Sequence, residues 1–231
     1  MDKTGLVSLL QSPHIWRMGD FPRPDRTGWP TGFEALDAEL PEGGWPKQGL
    51  TELLCDRIGI GEVSLLLHAL VALTAEQRSI AWVNPPFLPY APALSNAGID
   101  ISRLLIVRPD AHAETLWAAE QSLRSGAFGA VLLWLKQDVD YPCLRRLQLA
   151  AEAGRSAGFL YRHSMFATQP SSAPLRVRVD GTANTLAVTL LKRRGLMASR
   201  RIDLTANPHV VERAANTSSI RSIAGPRAAR H

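Results

Sequence analysis

Short apolar runs alternate along the chain with longer segments that repeat apolar residues at helical spacing. The short runs are rich in Val, Ile and Leu, which is typical of strands buried on both faces, and the longer segments are typical of helices packed on a sheet. Strands that alternate with helices predict an α/β fold with a mostly parallel sheet flanked by helices on both faces. The predicted strands are 50–54, 80–83, 104–107, 130–135 and 158–161, and the predicted helices are 64–77, 89–97, 111–125 and 142–153.

The pattern changes in the last quarter of the chain. Residues 175–179 alternate apolar and basic side chains, residues 186–191 are mainly apolar, and residues 201–204 complete the pattern. Three short strands in succession, with no helix between them, predict an antiparallel edge added to the parallel sheet.

The two chain ends are predicted to differ from the core. Residues 1–28 are punctuated by prolines and predict a short helix and an extended arm, in which Trp16 beside Arg17 is a candidate anchor for a partner protein. Small, polar and basic residues dominate 208–231, which favours a disordered tail. The predicted organisation is therefore an arm, a core at 29–207 and a basic tail.

The larger apolar side chains indicate where the core is expected. In the helix predicted at 111–125, we expect Leu116, Trp117 and Leu123 to face the sheet. Apart from the tryptophan in the arm, the remaining tryptophans are interpreted mostly as core residues. They are Trp29, Trp45, Trp82, Trp117 and Trp134.

Composition narrows the possible classes of protein. A chain of 231 residues with 45% apolar content suits one domain with appendages. Cys55 and Cys143 lack the spacing of a zinc site or a disulfide framework, and the six histidines show no triad or metal-pair spacing, so no metal and no cofactor are predicted. Neither a signal pattern nor an apolar segment of bilayer length is present, so a cytoplasmic, reducing location is expected.

Charge is distributed unevenly. From Arg176 onward, eleven Lys and Arg residues stand against three acidic residues, a net charge of +8, whereas the preceding residues carry −3. A basic quarter on a mildly acidic body predicts an anionic partner, either nucleic acid or an acidic protein face, with a solvated tail as the alternative. The candidate partner-binding residues in this quarter are Lys192, Arg193, Arg194, Arg200 and Arg201.

Residues 56–63, between the first predicted strand and the first long helix, occupy the place of a phosphate-binding loop. A working loop reads G-x-x-x-x-G-K-[ST], in which the lysine meets the phosphates and the hydroxyl holds magnesium. Here Asp56, Glu62 and Val63 replace the first glycine, the lysine and the hydroxyl, while Gly61 remains and Gly59 lies between. A carboxylate about 4 Å from a phosphate oxygen costs roughly 4 kcal/mol near a protein surface. The sequence therefore predicts a degenerate loop that has stopped binding nucleotide.

The core then resembles the RecA recombinase family across about 28–205, since four motifs occur in the family order at near-family spacing. Each motif is modest alone, but their order and spacing together are specific. They are Thr31-Gly32 with Leu36-Asp37, Gly43-Gly44-Trp45-Pro46-Lys47-Gln48-Gly49, Ala97–Leu105, and Arg124-Ser125-Gly126-Ala127.

The resemblance also implies which catalytic groups are missing. The family's water-activating glutamate corresponds to Pro86, and its magnesium-binding aspartate corresponds to Trp134. Proline cannot accept a proton, and phosphoryl transfer depends on such carboxylates. The DNA-gripping loops of the family are also shortened here. The resemblance therefore implies a RecA-like core without ATPase activity or strand exchange, so the chain is not expected to be an enzyme.

Two bacterial families that do not use ATP resemble this RecA-like core without catalytic groups. One is the SulA family of damage-induced division inhibitors, which bind FtsZ. The other is the ImuA family of accessory proteins in damage-induced mutagenesis, and the basic strands after residue 174 and the long arm resemble it more closely. That resemblance implies an adaptor in translesion DNA synthesis. It would bind RecA and the polymerase-like ImuB, and through ImuB an error-prone polymerase and the sliding clamp. A SulA-type inhibitor and a residual NTPase remain as alternatives.

Overall fold

One eight-stranded sheet organises the part of the chain that the computed structural model describes, which is 27–181, 185–193 and 200–205. The spatial order is β3-β2-β4-β5-β1-β6-β7-β8; neighbours from β3 to β6 are parallel, and β7 and β8 add on antiparallel. The strands are β1 Gly49–Cys55, β2 Ser79–Val83, β3 Leu104–Val107, β4 Phe128–Trp134, β5 Ala157–His163, β6 Leu175–Gly181, β7 Thr185–Lys192 and β8 Arg200–Thr205.

Five α-helices and three 3₁₀ turns connect these strands in the described part. The helix Tyr141–Ala153 (α5) is preceded by Asp140, whose carboxylate accepts a hydrogen bond from the Cys143 N–H, and Pro142 lies in its first turn. The helices are α1 Glu34–Asp37, α2 Leu67–Ala75, α3 Ala91–Asn96, α4 His112–Arg124 and α5 Tyr141–Ala153, and the turns are Ser64–Leu66, Ile101–Arg103 and Ser164–Thr168.

Apolar cores lie on both faces of the sheet, as expected for a parallel sheet covered by helices. On one face, α2 packs over side chains such as Leu53, Trp82 and Phe159. On the other face, α4 and α5 pack over alternate residues of the same strands. The chain therefore folds as the alternation of strands and helices predicts, and the mostly parallel sheet with an antiparallel carboxyl-terminal edge is confirmed.

The threonine–glycine motif before α1 has a structural explanation. The Thr31 N–H donates to the carboxylate of Asp37 at 3.0 Å, which closes the turn that carries α1. Gly32 has a φ of 85° and lies directly against the His68 ring; a Cβ atom there would be 2.2 Å from the His68 Nδ1. Any side chain at Gly32 would therefore push α1 away from α2.

The expectation for Trp117 is wrong. Its side chain is 65% exposed, whereas Thr115, Ala119 and Leu123 are buried, and Leu116 packs partly against the core. The buried residues at positions i, i+4 and i+8 form the inward face of α4, and Trp117 lies two residues beyond the first of them, on the outer face.

Some predicted features lie outside the described residues. These include Trp16 and Arg17 in the arm, Arg194, and the tail at 208–231. Among the described residues, no helix is long and apolar enough to cross a membrane.

Candidate functional site

Loops from four neighbouring parallel strands meet at the carboxyl edge of the sheet, where ligands bind in open α/β folds. They enclose a cavity of about 310 Å³. Each strand contributes side chains at or just beyond its end: Cys55 and Asp56 after β1, Asn84 and Pro86 after β2, Trp134 and Leu135 after β4, and Tyr161 and His163 from β5. The degenerate phosphate loop forms one wall, so the cavity lies where the resemblance would place a nucleotide.

The loop holds a carboxylate of its own. Gly59 and Gly61 adopt left-handed backbone with φ of 87° and 96°, and the Gly59 N–H donates to both carboxylate oxygens of Glu62 at 3.1 and 3.0 Å. Glu62 is only 4% exposed. A backbone N–H in such a turn is a donor that binds anions. Glu62, which the resemblance aligns with the lysine of a phosphate-binding loop, therefore engages the Gly59 N–H that a bound anion would otherwise use.

Asp56, at the first position of the loop, is bound by side chains from two other parts of the fold. Asp56 pairs with Arg178 of β6 at 3.3 Å and accepts a hydrogen bond from the Ser164 hydroxyl. These contacts tie the start of the loop to β6 and to the turn that follows β5. The substitution of Asp56 for glycine thus adds a tether in place of a phosphate contact.

Trp134, which the resemblance to the RecA family aligns with a magnesium-binding aspartate, lies among aromatic side chains. Trp134 ends β4, stacks on the Tyr161 ring with 4.7 Å between centroids, and lies 5.4 Å from the Trp82 ring. The Asn84 side chain donates to the Trp134 carbonyl at 3.1 Å and so joins the ends of β2 and β4. Pro86 lines the cavity beside them. In the described residues, no group of three or more His, Cys, Asp or Glu side chains is arranged to hold a metal ion.

Burial also suppresses ionisation of the groups at the cavity floor. Burial raises the pKa of the Cys55 thiol to about 12, and the nearby charges of Glu62 and Asp56 add to the shift. The pKa of the Tyr161 phenol is raised well above its ordinary value, mainly by burial and then by Glu62. A thiolate is the nucleophilic form of cysteine. The geometry at this floor therefore favours neutral, apolar contacts over nucleophilic chemistry.

A buried charge cluster lies on the face of β1 opposite to that of Cys55. The sequence analysis did not predict this cluster. Glu52 is fully buried; it accepts hydrogen bonds from Arg162 of β5 at 3.3 Å and from Arg176 of β6 at 2.8 Å. Both arginines are also buried. The partners lie more than a hundred residues from Glu52 in sequence, so no local pattern marks the cluster.

The same two arginines fasten the segments that follow β4 and β5. Arg162 also donates to Asp138 at 2.7 Å, and Arg176 donates to three backbone carbonyls of the segment after β5. Those carbonyls belong to Phe166, Ala167 and Gln169. The segments after β4 and after β5 are therefore attached to the sheet through these arginines. In the RecA family, the corresponding segments would carry the DNA-gripping loops.

Asp138 and Asp140 have structural roles in this arrangement. A hydrogen bond from Gln169 is the main reason that the pKa of Asp138 is lowered, and Arg162 adds to it. Asp140 caps α5. The two carboxylates are bound by different partners, so they do not act as a pair.

The structure divides the candidate partner-binding residues. Lys192 donates to the Ser171 carbonyl at 2.9 Å, and Arg193 donates to the backbone carbonyl and the carboxylate of Glu39. Arg201 lies at the surface, with its side chain 61% exposed and 3.1 Å from Asp203. The Arg200 side chain, like Arg194, lies outside the described residues. The prediction that this group binds a partner stays a prediction.

The sequence of this chain is similar to two kinds of bacterial protein, SulA and RecA. A family model described as cell division inhibitor SulA matches residues 56–158, from the start of the degenerate loop into β5. SulA of Edwardsiella piscicida is 37% identical over 99 residues, which is 42% of this chain and 58% of that protein. RecA of Frankia alni is 30% identical over 119 residues, 52% of this chain and 34% of that protein.

Similarity to RecA extends further in another relative. RecA of Gluconobacter oxydans is 27% identical over 201 residues, which is 82% of this chain and 55% of that protein. The chain thus spans between 34% and 58% of the length of these three relatives. The crystal structure of the RadB recombinase matches with a TM-score of 0.60 over 78% of this chain and 97% of that chain; at 14% identity, this likeness concerns the fold. The core is therefore both RecA-like and SulA-like.

Proposed function

We propose that this chain is a non-catalytic, RecA-like accessory protein of the bacterial DNA-damage (SOS) response that acts through contacts with other proteins. The observation that carries the proposal is the buried Glu62 carboxylate on the Gly59 N–H, inside the loop where phosphates would bind. Pro86 and Trp134 replace the two catalytic carboxylates of the resembling family beside it. A RecA-like core with these three changes retains its surfaces but lacks the groups for phosphoryl transfer.

We expect no ATP binding by the native chain, because Glu62 already occupies the donor and repels phosphate. We also expect no ATPase activity in the variant Glu62→Lys/Val63→Thr, which restores the loop lysine and hydroxyl but leaves Pro86 and Trp134 in place. Isothermal titration with magnesium ATP and a phosphate-release assay measure the two results. Micromolar, magnesium-dependent binding by the native chain, or turnover above background in the variant, would contradict the proposal.

Within this class, we favour an adaptor in translesion DNA synthesis that binds RecA and ImuB, and through ImuB an error-prone polymerase and the sliding clamp. Two observations support it. Similarity to RecA of Gluconobacter oxydans covers 82% of the chain, and the antiparallel strands β6, β7 and β8 follow the region that the SulA model matches. Lys192 in β7 and Arg200 and Arg201 in β8 are among the basic residues that the sequence assigns to a partner.

A division inhibitor of the SulA type, which would bind FtsZ, is the second candidate. The match of the SulA family model to residues 56–158 favours it, because that region includes the degenerate loop and the ends of β2 and β4. Pull-down of purified RecA, ImuB and FtsZ by the immobilised full-length chain separates the candidates. Binding of RecA or ImuB supports the adaptor, and binding of FtsZ alone supports the inhibitor.

The variant Arg194→Ala/Arg200→Ala/Arg201→Ala is expected to weaken RecA or ImuB binding at least tenfold. Opposite charges steer and hold partners, and this attraction should fade as salt screens it over about 8 Å at physiological ionic strength. Lys192 and Arg193 are left intact because they make intramolecular contacts. Surface plasmon resonance at two salt concentrations measures the change.

A matched variant controls for net charge alone. Arg108→Ala/Arg145→Ala/Arg155→Ala removes three exposed arginines outside β6, β7 and β8 and should leave the affinity unchanged. Equal affinities for the two triple variants would contradict a binding role for the basic strands.

A further inference from the structure

The cavity at the carboxyl edge of the sheet has the size and lining of a pocket for a side chain. Its volume of about 310 Å³ lies at the small end of ligand cavities, which hold roughly 300–1,000 Å³. The Trp134 and Tyr161 rings and Cys55 contribute to its lining, together with Ile58, Pro86 and Leu135. This lining is mainly apolar, and the charged Glu62 carboxylate is engaged by the Gly59 N–H. Such a space has room for a large apolar side chain, such as an aromatic one.

Exposed apolar side chains extend the lining beyond the cavity. Ile58 is 52% exposed in the loop after β1, Phe87 and Leu88 directly follow Pro86, and Met165 follows β5. All four belong to loops at the same edge of the sheet. Exposed apolar surface of this kind marks an interaction site. Its spread across three loops suits a polypeptide better than a small molecule.

The free charges at the cavity are positive. Arg57 and Lys136 line it, both are exposed, and neither has an ion pair or a hydrogen bond with any other residue that the structure describes. Of the acidic residues that line it, Asp56 is paired with Arg178 and Glu62 is buried. Complementary charge selects a partner with acidic residues.

We propose that this cavity is a docking pocket for one large apolar side chain, presented by an acidic segment of a partner protein. The anchor side chain enters the cavity that Ile58 and Trp134 help to line, while Arg57 and Lys136 attract the acidic residues on either side of it. The inference rests on the proposed function in that it assumes action through protein contacts. It adds the location of one contact and the chemistry of the segment that fills it.

A pair of synthetic peptides tests the pocket with the full-length chain. The first carries a central phenylalanine flanked by aspartate and glutamate, and the second differs only in a central serine. Fluorescence anisotropy of the labelled peptides should show binding of the phenylalanine peptide with a Kd below about 100 μM, and at least tenfold weaker binding of the serine peptide. No binding of the phenylalanine peptide at millimolar protein concentration would overturn the proposal.

Matched variants locate the binding. Ile58→Asp should weaken the binding of the phenylalanine peptide at least tenfold. Leu149→Asp, at a residue 45% exposed on α5, should leave the affinity for this peptide unchanged. Arg57→Glu/Lys136→Glu should weaken the binding of this peptide similarly, with Arg145→Glu/Arg155→Glu, at two exposed arginines that do not line the cavity, as the control. Equal effects of a pocket variant and its control would overturn the proposal, and so would binding of indole-3-acetate at the pocket without any peptide binding.

The peptide experiment and the partner pull-down test the pocket and the proposed function separately. Peptide binding as expected, together with no binding of RecA, ImuB or FtsZ, would overturn the named partners and support the pocket. Partner binding without peptide binding would overturn the pocket and support the proposed function.

Discussion

Replacing Glu52 by alanine is expected to lower the free energy of unfolding by about 3–5 kcal/mol, the usual cost of removing one partner from a buried ion pair. Glu52 is fully buried and accepts hydrogen bonds from Arg162 and Arg176, which are buried as well. Its loss leaves two buried guanidinium groups without their shared carboxylate. Urea denaturation followed by circular dichroism measures the change.

An exposed pair provides the control for this result. Asp203→Ala removes a carboxylate whose side chain is 82% exposed, and it should change the free energy of unfolding by about 1 kcal/mol or less. The variant Glu52→Leu/Arg162→Met/Arg176→Met, which removes all three charges, should recover part of the loss because no buried charge is then unpaired. A loss below about 1 kcal/mol in Glu52→Ala would show that water or other groups solvate the arginines.

The Cys55 thiol is expected to react about a thousandfold more slowly with iodoacetamide at pH 8 than a thiol with the ordinary pKa of 9.0. Burial, with smaller contributions from the charges of Glu62 and Asp56, raises its pKa to about 12. The thiolate fraction falls by about tenfold for each unit of pKa, so three units give the factor. Mass spectrometry measures the extent of alkylation, and in the variant Cys143→Ala only Cys55 can be alkylated at a thiol.

The same pKa difference has a defined effect on stability. The unfolded thiol ionises near pH 9.0 and the folded thiol near pH 12, so the stability that the neutral buried thiol contributes is complete below pH 9 and is lost as the pH rises from 9 toward 12. Unfolding in urea should restore ordinary reactivity, and Glu62→Gln should raise the native rate because it removes one of the charges. Rapid alkylation of the native chain at pH 8 would contradict the burial of Cys55.

Local patterns were sufficient to predict the sheet. The strands that the apolar runs predict coincide with β1 to β5 to within a few residues, and the alternation after residue 174 matches the antiparallel pair β6 and β7. These features depend on residues close in sequence, whose spacing reports which side of a strand or helix is buried. Trp117 is exposed although its size suggests burial, because the spacing of Thr115, Ala119 and Leu123 sets the buried face of this helix.

The candidate site was only partly predictable. Register against a known loop located Asp56, Glu62 and Val63, and it indicated that a carboxylate had replaced the lysine. It did not indicate that this carboxylate bends back onto the Gly59 N–H, because that contact depends on the left-handed turns at Gly59 and Gly61. The Glu52 cluster was missed for a different reason, since its members lie on three strands that meet only in the folded sheet.

Because the Gly59 N–H already donates to the Glu62 carboxylate, we expect this fold to be insensitive to the energy state of the cell. Nucleotide-driven switches depend on a γ-phosphate that holds one conformation and releases it on hydrolysis. With that position occupied from within, we expect neither ATP nor ADP to favour one conformation over another. Synthesis and degradation, which set the number of copies, would then control how many partners are bound.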